Sequence, residues 1–283
     1  MSVYTLFENR LGWTAVDMKK RKAALEDLDN LNEKQLVQTF DYFEEAFGLT
    51  DDDMSKMLKI QPMLLILSKK TIDEKIDFYD KTIGVKLEDL SDMITVSPNL
   101  LAYVDNVIKT RSRFCMAMFD LEQNEFVEMM KRKPTLLDHS EKSMFDKSRQ
   151  ILELDIDKKH IVNAPDILDV PNNTLKLRYA VLRQAFSREE IFSNPNWFMV
   201  NPSVAFARLG YMKDLGKQVA IENIVATEQD FQTSCGVKSV DLARKYLLER
   251  KHFKELGKIL QQDGIADFTI PEKIAFDNEW GDL

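Results

Sequence analysis

Residues 48–65 read GLTDDDMSKMLKIQPMLL. A glycine suited to a turn is followed by Thr50 and, three residues on, Asp53, the pattern of a capping box that starts a helix. The helix it starts must end at Gln61, because a proline disfavours α conformation in the residue before it. Pro62 is then followed by Leu64 and Leu65, a large apolar pair where the chain has just left a helix. The same ending recurs at Pro98-Asn-Leu100-Leu101, Pro134-Thr-Leu136-Leu137, Pro165-Asp-Ile167-Leu168 and Pro195-Asn-Trp197-Phe198, at proline intervals of 36, 36, 31 and 30. Five copies in phase are an internal repeat, and a repeat decides the fold before any single element does.

Each interval reads alike. A first helix carries apolar residues at one-face spacing, as in Ile72, Ile76 and Tyr79. A turn follows, with Gly48 and Gly84 in two of the copies. A capped second helix then runs into the proline, and Ser187 with Glu190 repeats the capping box of Thr50 and Asp53. The apolar pair after the proline is expected to plug the space between neighbouring hairpins, in a short 3₁₀ turn. Leu64, Leu65, Leu100, Leu101, Leu136 and Leu137 are therefore expected to be buried. From Thr50 to Pro62 is 12 residues, but from Asp157 to Pro165 and from Ser187 to Pro195 it is 8. Losing four residues removes about one helical turn and leaves the apolar face where it was. The expected fold class is all-α, a superhelical solenoid of repeats; a single globular bundle with coincidental proline spacing is the competing reading.

The chain of 283 residues has a formal charge of −8. That charge is uneven: −8 over residues 1–170, +5 over 171–262 and −5 over 263–283. No apolar run approaches the length of a membrane span. Cys115 and Cys235 fit no metal or redox spacing and are expected to be small hydrophobes in a reducing compartment. The first residues have neither the order of a secretory signal nor the composition of a transit peptide, so a chain that works where it is made, or one already processed, is expected.

The run from Gly48 through Pro62-Met-Leu-Leu to Lys75-Ile-Asp-Phe-Tyr resembles the repeat of the mitochondrial transcription termination factor (mTERF) family. Pro202-Ser-Val-Ala-Phe-Ala-Arg208 and Glu228-Gln-Asp-Phe231 resemble its closing repeats, and the likeness extends over about residues 33–250. It implies three-helix mTERF-like repeats in a curved superhelix, a nucleic-acid partner along a positive concave groove, and a mitochondrial or plastid location. The division expected is an N-terminal helical cap over 1–32, repeats over 33–262 and an acidic tail over 263–283. A monomer without cofactor, metal or membrane contact is expected.

Superposing the first helices gives a ladder of Lys75 and Asp77, Arg111 and Arg113, Lys147 and Arg149, Lys176 and Arg178, then Phe206 and Arg208. Equivalent positions in a solenoid point the same way, so this row is expected to present cations to phosphates, which hold register without reading sequence. The cluster Lys19 to Lys22 and the run Arg244, Lys245, Arg250, Lys251, Lys254 and Lys258 are further candidates, the latter on a terminal helix. Tyr103, Tyr179 and Trp197 are candidates for base stacking, although aromatics at helical spacing are more often core. His139, His160 and His252 have no ligand-spaced partner, and no phosphate-binding loop or nucleophile elbow occurs, so no enzyme is expected. Asp51 to Asp53 are accounted for by the helix dipole. Two functions remain open: nucleic-acid binding in transcription, its termination, or RNA and ribosome maturation; and a protein-interaction scaffold, favoured by the net negative charge.

Overall fold

The computed structural model describes residues 3–29, 33–154, 156–216, 219–248 and 258, and no strand occurs among them. The chain is all-α, and it divides into two compact units, residues 1–146 and 147–283. The acidic tail over 263–283 lies outside the described residues.

The first unit opens with α1 (Val3–Leu11), α2 (Ala15–Lys20) and α3 (Lys22–Asp29). Repeats then begin: α4 (Glu33–Phe47) and α5 (Asp51–Ile60); α6 (Lys69–Phe78), α7 (Leu87–Val96) and the one-turn α8 (Asn99–Ala102); α9 (Asp105–Phe119) and α10 (Gln123–Arg132). The helix α11 (Glu141–Leu152) carries the boundary. The second unit continues with α12 (Lys158–Asn163), α13 (Asn172–Leu182), α14 (Arg188–Ser193), α15 (Pro202–Asp214), α16 (Ile221–Val225), α17 (Glu228–Cys235) and α18 (Ser239–Leu248).

The prolines act as the sequence requires. Gln61, Ser97, Lys133 and Ala164 share nearly one conformation, with φ between −128° and −137° and ψ between 68° and 83°. That extended geometry is what a following proline imposes. Each of these residues still donates its N–H to a carbonyl four back, at 2.8–3.0 Å, so the helix closes without an orphaned donor. The turn is 3₁₀ at Pro62–Ile66, Pro134–Asp138 and Pro165–Asp169. At Pro98 it differs: Tyr103 N–H reaches back to Asn99 O at 2.9 Å, an i→i−4 bond that makes the turn α. At Pro195 only i→i−3 turn bonds form, from Trp197 N–H to Asn194 O and from Met199 N–H to Asn196 O.

All six plug leucines are buried at 0–1% exposure. They meet the buried face of the second helices, which repeats as Met54, Met57 and Leu58, as Leu90, Met93 and Ile94, and as Phe126, Met129 and Met130. These are the residues eight, five and four before each proline. In the shortened copies the residue eight before the proline is the cap itself, Asp157 or Ser187, so α12 and α14 have 6 residues where α5 has 10. Successive turns are also sewn together by polar groups. The Asp138 carboxylate accepts from Ser97 Oγ at 3.1 Å, Asn99 Nδ2 at 3.3 Å and Tyr103 OH at 3.1 Å.

The N-terminal helices pack on the first repeat. Trp13 Nε1 donates to Ser55 Oγ at 3.0 Å, and Arg10 reaches Asp41 and Glu44 at 2.8 and 2.6 Å. Cys115 is fully buried and burial pushes its thiol up to about 12, whereas Cys235 is only half-buried.

Capping boxes close α2, α5 and α14 through Thr14 and Asp17, Thr50 and Asp53, and Ser187 and Glu190. Hydrogen bonds from backbone and hydroxyl hold all three carboxyls below their ordinary values. A carboxyl depressed in the folded state stabilises it above the unfolded pKa, and that contribution fades as pH falls through the folded one. Urea melts of Thr50→Val and Ser187→Ala should therefore show a cost at pH 7 of about 1 kcal/mol each that shrinks towards pH 3. A cost independent of pH would contradict the capping role.

Candidate nucleic-acid interface

The structure divides the expected ladder by depth. The first helix of each repeat buries the residues ten and seventeen after the proline: Ile72 and Tyr79, Ile108 and Cys115, Met144 and Ile151, Leu175 and Leu182, Ala205 and Met212. Between them, thirteen after each proline, stand Lys75, Arg111, Lys147, Arg178 and Arg208, at the same intervals of 36, 36, 31 and 30 as the prolines. A cation therefore occupies the middle of the buried stripe in all five copies.

Its partner is the next turn. Lys75 Nζ donates to Tyr103 O and to Asp105 Oδ1, the latter at 2.6 Å. Arg111 Nη1 donates to Leu137 O at 2.5 Å, Lys147 Nζ to Val170 O and Arg178 Nη1 to Phe198 O. Both lysines reach the carbonyl five residues after the proline, and both arginines the carbonyl three after it. The last carbonyls of a short helical turn lack intrahelical partners and carry partial negative charge, so a cation there satisfies them. Burial pulls the Lys147 ammonium below its ordinary value, opposed by Asp169.

Arg208 is the extreme case, 2% exposed. Its guanidinium donates to Ile224 O at 2.9 Å, Ala226 O at 2.7 Å, Ser239 Oγ at 2.8 Å and Glu228 Oε2 at 3.1 Å, and it lies 4.2 Å from the Phe231 ring centroid. Lys75, at 9% exposure, and Arg208 thus face inward, which corrects the expectation that the whole row presents its charge to solvent. The reason is register: aligned on the prolines, Arg178 and Arg208 match Lys75, while Lys176 sits two residues earlier. The position fifteen after the proline is exposed in the first three copies, as Asp77, Arg113 and Arg149, and is the buried Ala180 and the half-buried Gly210 in the last two, so it presents a base in two copies.

Arg113 is exposed and has no hydrogen bond or ion pair among the described residues. Arg149 is exposed and only 3.8 Å from an equally exposed Glu153, a contact of little strength. Lys176 is half-buried with no polar partner among the described residues. Lys245 lies 3.8 Å from Asp214, and Arg244 shares α18 with it. Lys258 is exposed, while Arg250, Lys251 and Lys254 lie outside the described residues. In the N-terminal cluster, Arg21 is occupied by Lys59 O at 2.5 Å and Lys22 lies 3.4 Å from Glu26, which leaves Lys19 and Lys20 exposed.

Sequence reading missed how positive charge is spent. Between residues 56 and 86, Lys56, Lys81 and Lys86 each lie 2.6 Å from an aspartate, Lys59 lies 3.5 Å from Asp17 and Lys70 lies 3.7 Å from Glu74. Later in the chain, Lys142, Lys158 and Lys159 are exposed without a side-chain partner among the described residues. The i,i+4 acid that marks Lys56, Lys70 and Lys81 was a readable signal. The stacking candidates are not displayed either: Trp197 is 2% exposed, Tyr179 stacks on Phe192 at 5.5 Å, and the Tyr103 hydroxyl is held by Asp138.

No helix among the described residues is long and apolar enough to cross a membrane. No curated protein matches the sequence. The mTERF family model matches residues 68–204, a span that holds four of the five repeat prolines and four of the five cations that stand thirteen residues after them. Over that span, just under half of its length, the chain carries the repeats of the mTERF family.

Proposed function

We propose that this protein binds nucleic acid through its phosphate backbone and acts in transcription, its termination, or RNA and ribosome maturation. The family supports the class of partner. The observation that carries the reading for this chain is Arg113, an exposed guanidinium with no protein partner among the described residues, at the same repeat position as Arg149. Arginine left uncommitted in this way offers a planar fork to phosphate. Lys176, Lys142, Lys158, Lys159, Arg244 and Lys245 extend the proposed contact set. Lys75, Arg111, Lys147, Arg178 and Arg208 support it indirectly, by fixing the helices that carry the outer cations. Binding, not catalysis, is the role proposed.

The test is fluorescence anisotropy with duplex DNA, single-stranded DNA and RNA across a salt series. Arg113→Ala and Arg149→Ala should each lower the salt slope by about 0.9 on duplex or about 0.7 on a single strand. They should weaken binding evenly across sequences, because phosphate contacts do not discriminate bases. Lys81→Ala should leave the slope unchanged, its charge being spent on Asp77. No binding near about 50 mM salt, where electrostatic association is strong, would overturn the proposal.

A further inference from the structure

The second unit holds a cavity of about 790 Å³ unlike the cationic surface just described. It is bounded by the turn after Pro195, the start of α15, and α16 with the start of α17. Its apolar lining is Met199, with 59% of its surface open, together with Val200, Val204 and Val225. Its polar lining is mostly carboxamide and carboxylate. Asn196 and Asn223 have side chains with no hydrogen bond among the described residues, and Asn194 uses only its Oδ1, which accepts Asn196 N–H at 3.0 Å.

Charge decides what such a cavity accepts. Arg208 is the one cation of the lining and is matched by Glu228 at 3.1 Å. Glu222 and Asp230 remain, both exposed; Asp230 accepts from Thr227 Oγ1 at 2.7 Å, a partner that carries no charge. A phosphate would meet two uncompensated carboxylates, whereas an ammonium or guanidinium would neutralise them. A carboxamide offers both donor and acceptor, the complement of a peptide group, which presents one of each. In an extended peptide, alternate side chains point to opposite sides. One set would sit on Met199 and Val204 and the other would meet Glu222 and Asp230.

We propose that this cavity binds an extended basic peptide segment of a partner protein, with Asn196 and Asn223 holding its backbone and Glu222 and Asp230 its Lys or Arg side chains. The site is independent of the nucleic-acid contact. It gives the chain a second partner.

The probe is a library of random dodecapeptides displayed on phage, selected on the full chain. The selected consensus should alternate Lys or Arg with aliphatic residues. In anisotropy with the labelled consensus peptide, the double variant Asn196→Ala/Asn223→Ala, whose charge is unchanged, should bind about tenfold more weakly. Glu222→Lys should weaken binding further; both variants should keep their helical circular dichroism, and the charge-neutral asparagine variant its affinity for nucleic acid. Three results would overturn the proposal. One is no enrichment over uncoated beads. Another is a consensus peptide indifferent to the asparagine pair, which would mean diffuse attraction to an acidic chain. The third is displacement of the peptide by single-stranded RNA together with loss of RNA affinity in the asparagine variant.

Discussion

Leu100→Ala is expected to destabilise the first unit by about 2–5 kcal/mol, the range for truncating a buried leucine. Leu100 has no exposed surface and sits on the one-turn helix that closes the α6–α7 repeat. Its carbonyl accepts the buried Tyr79 hydroxyl at 2.8 Å, a bond the substitution leaves in place. The loss is therefore one of packing, the transfer of the removed atoms plus the void left between α8 and its neighbours. Ile66→Ala is the control, because Ile66 lies on the equivalent turn at Pro62 but is 45% exposed. It should change stability by no more than about 0.5 kcal/mol. Urea denaturation that gives both variants the same midpoint would show that the apolar pair is not the plug of the repeat.

That prediction could be written from the sequence, and the reason is physical. A proline acts on its own neighbour through sterics, so the five prolines mark five helix ends whatever the tertiary fold does. A capping box is equally local, which is why Thr50 and Ser187 lie where the pattern put them. The buried side of the first helix was harder to read. Ile72, Ile76 and Tyr79 look like a stripe, but the residues turned inward are Ile72, Lys75 and Tyr79. Hydrophobic patterning assigns a lysine to solvent by default, and nothing local contradicts that. What keeps Lys75 inside is the Tyr103 carbonyl, 28 residues away. One trace of this was present in the sequence: the cations that reach the next turn recur at the intervals of the prolines, a coincidence that a solvated face would not require. The availability of the outer cations was less legible still. It depends on which acids lie close in space, and the Lys59 contact with Asp17 crosses from α5 to α2.

Arg208→Met is expected to cost the second unit about 3–5 kcal/mol, the range for removing one partner of a buried ion pair. Four acceptors lose their donor: the Ile224 and Ala226 carbonyls, Ser239 Oγ and the Glu228 carboxylate. Glu228 Oε1 still accepts Ser239 N–H at 2.7 Å, so its charge stays fixed at the junction of α17 and α18 with no cation beside it. Burial pulls the Arg208 guanidinium below its ordinary value, opposed by Glu228, yet an arginine begins so high that it stays charged. Arg208→Lys should recover only part of the loss. One ammonium cannot reach four acceptors arranged for a planar fork, and it gives up the stacking on Phe231. Adding Glu228→Gln to Arg208→Met should restore stability relative to the single variant, because the stranded charge is removed. Native-state hydrogen exchange is the suitable measurement, since it follows the amides of α15, α17 and α18 separately from those of the first unit. Protection should fall in these three helices and hold in α5 and α7. The same variant should keep the salt slope of nucleic-acid binding, because a guanidinium enclosed on every side has no phosphate to neutralise. If Arg208→Met instead folds with stability within about 1 kcal/mol of the parent and loses a unit of salt slope, Arg208 faces the nucleic acid and the carbonyl clamp is not what holds this end of the chain.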